Sequence, residues 1–197
     1  MPTKILLTLG LMLAVCNTRA QSLPAQPDKE PVVALKSNLL YVATTTLYLG
    51  VEVAVAPEWS VELSANYNPW TYGGGRKIKH WLLQPAVRYW TNRWGEGSFF
   101  GAHAHGGQFN VARIGGEGRY QGWLAGAGVS YGYRWNWSQS WGVEAEIGLG
   151  WAHLDYSKYA TAGGECSRCG ALTGRDTHNY FGVTKAAVSL IYTIGKK

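Results

Sequence analysis

Two closely spaced pairs of side chains could do chemistry. His103 and His105 lie two residues apart, as do Glu144 and Glu146, so each pair shares one face if its segment is a β-strand. Imidazoles with carboxylates could bind a divalent metal such as zinc, and two carboxylates could act as a general acid and base. We favour a network of hydrogen bonds and ion pairs instead, because charges buried inside a protein need partners.

A Cys-x-x-Cys motif lies in a glycine-flanked segment near the C-terminus, with Cys166 and Cys169 as its cysteines. In an exported protein this spacing favours a disulfide between Cys166 and Cys169. A metal site is the first alternative, with His178 as one further candidate ligand, and two unpaired thiols are the second. A redox motif is expected near a βαβ unit, and the sequence has no such pattern.

Signals for catalysis are weak. A lipid-modifying hydrolase needs a nucleophile such as serine beside a histidine. The available residues are His80, His153, Ser157 and His178, and no His-x-Ser arrangement is present. We therefore expect no cofactor and favour a protein without catalytic activity, with an enzyme at the outer rim as an alternative.

The composition indicates an all-β protein. Of 197 residues, 26 are glycine and 10 are tryptophan, while only 15% are charged. A chain this aromatic and this weakly charged is not disordered. Frequent glycine also disfavours long helices, since each costs about 1 kcal/mol relative to alanine.

The first residues have the pattern of an export signal. Lys4 precedes the apolar stretch Ile5–Val15, which is too short to cross a bilayer as a helix, and small or polar residues follow up to Ala20. Loss of Lys4 and Arg19 with the signal lowers the formal net charge from +6 to +4, and no basic block typical of nucleic-acid binding is present. The predicted segments are a signal peptide over 1–20, a polar leader over 21–33 and one barrel domain over 34–197.

Eight segments with a period of two follow, each bounded by turn residues. In the third, Trp59, Val61 and Leu63 alternate with Ser60 and Glu62, and the seventh alternates in the same way. Successive side chains of a strand point to opposite faces, so each segment has one apolar face and one face of polar residues or glycine. The segments are 35–43, 47–56, 59–69, 80–90, 98–109, 120–133, 141–155 and 179–194.

Loop lengths and tryptophan spacing favour a membrane barrel over a sandwich. The links after the second, fourth and sixth segments are short, and those after the third, fifth and seventh are longer, as in outer-membrane barrels. Four pairs of tryptophans bracket four segments at separations of 9 to 12 residues. Ten residues of tilted strand cover roughly 25 Å, the height of the apolar band between two aromatic girdles. The predicted girdle residues are Trp59, Trp70, Trp81, Trp90, Trp123, Trp135, Trp141 and Trp151.

We therefore predict a closed, eight-stranded, antiparallel up-and-down transmembrane β-barrel with its apolar faces toward lipid. Eight strands leave an interior that side chains fill, so the lumen is expected to be polar and without an open pore. Lys36 and a protonated histidine are expected to help balance the four carboxylates inside. The predicted lumen network is Glu52, Glu62, Arg88, His103, His105, Glu144, Glu146 and Lys185.

The predicted outer loops are basic, with eight cations against three acids. Such loops could bind the phosphates of lipopolysaccharide or a partner surface, and solvated loop charge is an equally good interpretation. The cations are Arg76, Lys77, Lys79, Arg113, Arg119, Lys158, Arg168 and Arg175, and the acids are Glu117, Glu165 and Asp176.

Six short motifs are distinctive in combination: Lys36–Tyr41, Asn66–Trp70, His80–Trp90, Gly101–Gly107, Tyr120–Trp123 and Asn179–Gly182. Together they resemble a family of small proteins, domain-of-unknown-function family 3575, over about residues 34–194. The resemblance implies an outer-membrane barrel of Bacteroidota, often encoded near fimbrial genes, and it implies no activity and no catalytic residues.

These inferences combine into a monomeric protein of the cell outer membrane, exported through a cleaved signal peptide. Its expected contacts are outer-membrane lipid and lipopolysaccharide, with fimbrial or other surface proteins as candidate partners and no nucleic acid. The expected role is structural, adhesive or in assembly. The alternatives are a lipid-modifying enzyme and a soluble periplasmic barrel with a ligand in its lumen.

Overall fold

The computed structural model describes residues 32–114, 118–160 and 170–195. Each strand pairs antiparallel with its neighbours in the chain, and β1 also pairs with β8, which confirms the predicted closed, eight-stranded, antiparallel up-and-down barrel. Within the described residues, no helix has the length and hydropathy needed to cross a membrane. The elements are β1 (Val33–Asn38), α1 (Leu39–Ala43), β2 (Leu47–Ala56), β3 (Trp59–Asn68), β4 (Lys77–Trp90), β5 (Gly97–Ala112), β6 (Gly118–Asn136), β7 (Trp141–Ala160) and β8 (Leu172–Ile194).

The two ends of the barrel differ. We name as the turn end the one where β2–β3, β4–β5 and β6–β7 are connected and where β1 begins and β8 ends. The other is the loop end. β1 begins at Val33, so the last residue of the predicted leader belongs to the barrel. The predicted signal peptide and its cleavage after Ala20 lie outside the described residues.

The strands carry polar side chains inside and apolar side chains outside. Along β3, every second residue from Ser60 to Asn68 is buried, whereas Trp59, Val61 and Leu63 are exposed. The other strands alternate in the same way over the middle of the barrel, as the period of two predicts. This pattern is inverted relative to soluble proteins, in which the most apolar residues are the most buried.

The first strand is shorter than its pattern predicts. β1 ends at Asn38 instead of residue 43, and the apolar residues after it form α1. The Asn38 side chain ends the strand because its Oδ1 accepts from the Leu40 amide at 3.0 Å, as a helix N-cap. It also donates to the Ala186 carbonyl on β8, which fixes the start of α1 against the barrel wall.

The strands β5 to β8 are longer than predicted, so the barrel is taller on one side. β7 continues to Ala160 and β8 begins at Leu172, which replaces most of the predicted Tyr156–His178 loop with paired strand. The alternation stops before these strands do, because both of their faces carry polar residues near the loop end. The pairing of β7 with β8 shifts by one residue after Gly148, which pairs with Lys185, whereas Leu149 pairs with Val183. From this shift toward the loop end, the inward and outward positions of β8 are therefore exchanged.

Trp90 is wrongly predicted as a girdle residue. The other seven girdle tryptophans are exposed, but Trp90 is fully buried inside the barrel. Nine residues separate Trp90 from Trp81, and an odd separation along a strand puts two side chains on opposite faces. The Trp90 Nε1 donates to Ser60 Oγ at 3.0 Å, and its ring lies 4.7 Å from the Phe99 ring.

Candidate functional site

The middle of the barrel holds one buried cluster of charges, which we name the ionic core. Seven of the eight strands contribute to it, and every member is almost fully buried. Six of the predicted lumen residues belong to it, joined by Lys36 and Arg134. Its members are Lys36, Glu52, Glu62, Arg88, Arg134, Glu144, Glu146 and Lys185.

Lys36 on β1 ties three strands together. Its Nζ lies 2.6 Å from the Glu52 carboxylate, 2.7 Å from Glu62 and 3.0 Å from Glu144. Lys185 on β8 lies 3.0 Å from Glu62 and 3.2 Å from Glu146. The two ammonium groups therefore satisfy carboxylates from β2, β3 and β7.

The two arginines reach across the barrel. The Arg88 guanidinium lies 2.6 Å from Glu62 and 2.8 Å from Glu144, and it also contacts Glu146. Arg134 lies 2.6 Å from both Glu52 and Glu144. Each guanidinium bridges carboxylates on different strands, which suits its planar fork of donors.

The charges of the ionic core balance, with four carboxylates against four cations. The expected protonated histidine is not needed, because Arg134 supplies the fourth positive charge. Sequence reasoning missed Arg134 by assigning it to a turn. β6 continues to Asn136, and extending its alternation by one step past Gly132 puts Arg134 on the inner face.

An apolar layer closes the barrel below the ionic core, toward the turn end. It consists of buried side chains from β1, β4, β5 and β8 and from the β4–β5 turn. Both arginines stack on this layer: Arg88 lies 4.4 Å from the Phe99 ring and Arg134 lies 4.6 Å from the Trp90 ring. The layer consists of Ala34, Trp90, Trp94, Phe99 and Ile191.

The predicted histidine pair lies inside the barrel, above the ionic core. The two rings are 5.8 Å apart, and His103 Nε2 lies 3.0 Å from the Thr184 hydroxyl. In the described part of the chain, no group of three or more potential metal ligands includes His103 or His105. A zinc site needs at least three protein ligands, so this pair alone does not make one.

Three carboxylates of the ionic core lie close enough to hold a metal ion. Oxygens of Glu62, Glu144 and Glu146 come within 4.8 Å of one another. The guanidinium of Arg88 contacts all three of these carboxylates. The Arg88 guanidinium thus already neutralises the carboxylates that a metal ion would bind. The Glu144 and Glu146 pair belongs to this ion-pair network.

Among the described residues, no hydrogen bond joins Ser157 to a histidine, although His80 and Ser157 line one hollow near the loop end. His80 Nδ1 lies 3.1 Å from the Ile78 carbonyl, and His153 Nδ1 lies 2.9 Å from Asn179 Oδ1. Sequence reasoning overlooked a Gly-x-Ser-x-Gly string at residues 128–132, centred on Ser130. It lies in the interior of β6 with Ser130 facing inward, without the strand-to-helix turn of a nucleophile elbow.

Aromatic side chains form a belt on the outer surface near the turn end. Neighbouring rings contact each other, with Trp59 and Tyr89 at 5.1 Å and Trp141 and Tyr192 at 4.9 Å between ring centres. Six consecutive strands, β3 to β8, contribute to the belt. Its exposed members are Trp59, Tyr89, Phe100, Tyr131, Tyr133, Trp135, Trp141 and Tyr192.

The predicted basic residues that the structure describes lie at the loop end. Arg113 donates to the Gly74 carbonyl at 2.9 Å, and Arg119 donates to Asn110 at 3.0 Å. Lys158 pairs with Asp176 at 3.0 Å. Hydrogen bonds from the Lys158 ammonium and the Thr177 amide lower the pKa of the Asp176 carboxyl. The remaining described cations there are Arg76, Lys77, Lys79 and Arg175, while Glu117, Glu165 and Arg168 lie outside the described residues.

Cys166 and Cys169 also lie outside the described residues, so their predicted disulfide stays a prediction.

Comparison with known proteins identifies a family for the chain. No curated protein and no solved structure matches it. The family described as "Protein of unknown function (DUF3575)" matches residues 6–194, which is nearly the whole chain. The chain, which folds as a closed eight-stranded barrel with a buried ionic core, therefore belongs to the DUF3575 family.

Proposed function

We propose that this protein is a closed β-barrel of the bacterial outer membrane that anchors its loop end at the cell surface. The observation that carries the proposal is the inverted distribution of side chains, with charges buried and apolar residues exposed. Large apolar side chains on the outer face include Leu63, Val129, Ile147 and Leu149, each at least half exposed. In water such a surface would be an aggregation hazard, whereas in lipid it is the stable arrangement.

The aromatic belt supports a membrane orientation. In transmembrane barrels, aromatic rings gather where the apolar band meets the headgroups. On β7, ten residues separate Trp141 in the belt from Trp151 toward the loop end, and both are exposed. A tilted strand of that length covers roughly 25 Å, which is the height of the apolar band.

The filled interior argues for an anchor instead of a pore. The ionic core draws buried side chains from every strand except β5. The apolar layer below it draws them from β1, β4, β5, β8 and the β4–β5 turn, so the two layers together occupy the cross-section. Eight-stranded barrels have an interior just wide enough for such filling. We therefore expect no ion conduction.

The role at the surface follows from the loop end. Its cations suit lipopolysaccharide phosphates or an acidic partner, and the family resemblance adds fimbrial or other surface proteins as candidate partners. A structural, adhesive or assembly role for a monomer fits these features.

Fractionation of cells that produce the full chain tests the proposal. We expect the protein in the outer-membrane fraction, released only by detergent. We also expect its gel mobility to differ between unheated and boiled samples. Recovery as a soluble periplasmic protein without detergent would contradict the proposal and favour a soluble barrel.

A further inference from the structure

The interior above the histidine pair is more apolar than the ionic core below it, although His178, Tyr180 and Thr184 also line it. Leu82 on β4, Leu124 on β6 and Leu154 on β7 all face inward there and line a cavity of about 270 Å³. A second hollow of about 310 Å³, toward the loop end, shares Leu154 and His178 with the first. Small-molecule sites are largely apolar and span about 300–1,000 Å³, so the two hollows together have a suitable size.

One polar side chain in the cavity has unused hydrogen-bonding capacity. His105 is only 7% exposed and lines the first hollow. Its Nδ1 is buried without a hydrogen-bond partner, and rotation of the imidazole ring would bring this nitrogen to the hollow. Leaving a buried polar group unpaired costs about 1–3 kcal/mol, so a ligand that hydrogen-bonds His105 would recover this loss.

The charge balance of the ionic core restricts the ligand. Four carboxylates and four cations already pair with one another immediately below His103 and His105. A charged group brought to His105 would be buried without an opposite charge, which is strongly unfavourable. An uncharged hydroxyl or carbonyl would meet the imidazole at no such cost.

The cavity is adjacent to a gap in the barrel wall. β1 pairs with β8 only as far as Asn38 opposite Ser189. From Leu172 to Val188, β8 has no strand partner on that side in the described part of the chain, and α1 packs nearby. Phe181 and Val183 on this stretch and Leu39 on α1 are exposed, so the part of the gap beside α1 is apolar, whereas the stretch 173–179 toward the loop end is mostly polar.

We propose that the outer half of the barrel interior binds one small single-chain molecule, with its hydrocarbon body against Leu82, Leu124 and Leu154 and an uncharged hydroxyl or carbonyl at His105. The volume is too small for a lipid with two full acyl chains. This site goes beyond the proposed anchoring role and does not depend on it.

Photolabelling of the purified full chain, folded in detergent, tests the site. The probe is a ten-carbon aliphatic alcohol with a diazirine in its chain, and labelled residues are mapped by mass spectrometry. We expect labels on inward residues of β6 and β7 around Leu124 and Leu154. Unlabelled decanol should compete roughly fivefold better than decane, because only the alcohol hydrogen-bonds His105. The His105→Phe variant should lose this preference.

Leu124→Trp should fill the cavity and abolish inward labelling, whereas Val129→Trp, on the outer face of the same strand, should not. Heat-modifiable migration verifies that each variant is folded. If Leu124→Trp does not fold, the positions of the labels in the wild-type protein alone test the proposal. Labels confined to outward residues such as Val129, or equal competition by decanol and decane, would overturn the proposal. Neither result would affect the fractionation test of the anchor.

Discussion

The Arg134 guanidinium on β6 lies 2.6 Å from the Glu52 carboxylate on β2, so one ion pair spans the interior between opposite strands of the eight-stranded ring. Both side chains are buried, and Ser60 donates to the other oxygen of Glu52. Contacts of this kind join strands that share no backbone hydrogen bonds. The ionic core therefore stabilises the closed cross-section as well as each strand pair.

Removing one member of the ionic core should destabilise the barrel strongly. Arg88→Met leaves the carboxylates of Glu62, Glu144 and Glu146 with one cation fewer, and we expect a loss of about 3–5 kcal/mol in the free energy of unfolding. Urea titration of the folded barrel, followed by heat-modifiable migration, measures this loss. Adding Glu146→Gln should recover part of it, because the charge balance returns. A double variant less stable than Arg88→Met would contradict this account.

Trp90 should contribute to stability as an interior residue. Trp90→Ala removes its contact with Phe99 and its hydrogen bond to Ser60, so we expect a loss of about 3–5 kcal/mol. The matched control is Trp137→Ala in the β6–β7 turn, since Trp137 is 61% exposed. Equal losses for the two variants in thermal unfolding would show that Trp90 is not packed inside.

The sequence predicts the strands and their faces well where apolar and polar residues alternate, as in β3 from Trp59 to Asn68. The prediction fails at Trp90, because an odd separation from Trp81 places the two side chains on opposite faces of the strand. It also fails at Asn38, where a side-chain hydrogen bond to the Leu40 amide ends β1 earlier than the alternation predicts. Arg134 was missed because turn residues follow it at once. The ion pairs themselves could not be predicted, because Lys36 and Glu144 are 108 residues apart and meet only when the ring closes.

An arginine on the outer face should disturb membrane insertion. Leu63 lies near the middle of β3, is half exposed and faces outward. We expect Leu63→Arg to cost about 2–4 kcal/mol, as at a bilayer midplane, and Ser157→Arg at the loop end to cost about 0–1 kcal/mol. The yield of folded barrel in lipid vesicles measures the difference. A soluble barrel would tolerate both changes alike.

Gly126 should resist substitution because two strands approach closely there. A Cβ at Gly126 would collide with the Trp151 carbonyl of β7 and with His105 Nε2, whereas one at Gly174 would meet nothing within 4 Å. We expect Gly126→Ala to lower the free energy of unfolding by about 1–3 kcal/mol, with little change for Gly174→Ala. Urea unfolding of both variants checks this, and an unchanged midpoint for Gly126→Ala would count against the close packing of β6 on β7.

The most direct test of the membrane-barrel account is the environment of alternating positions on one strand. Spin labels are attached singly at residues 143, 145, 147 and 149 of β7, in protein that carries serine in place of Cys16, Cys166 and Cys169 and is reconstituted in lipid vesicles. We predict that labels replacing Val143, Ala145, Ile147 and Leu149 collide with oxygen and not with a water-soluble nickel reagent. Frequent collision of these outward labels with the nickel reagent would contradict the account.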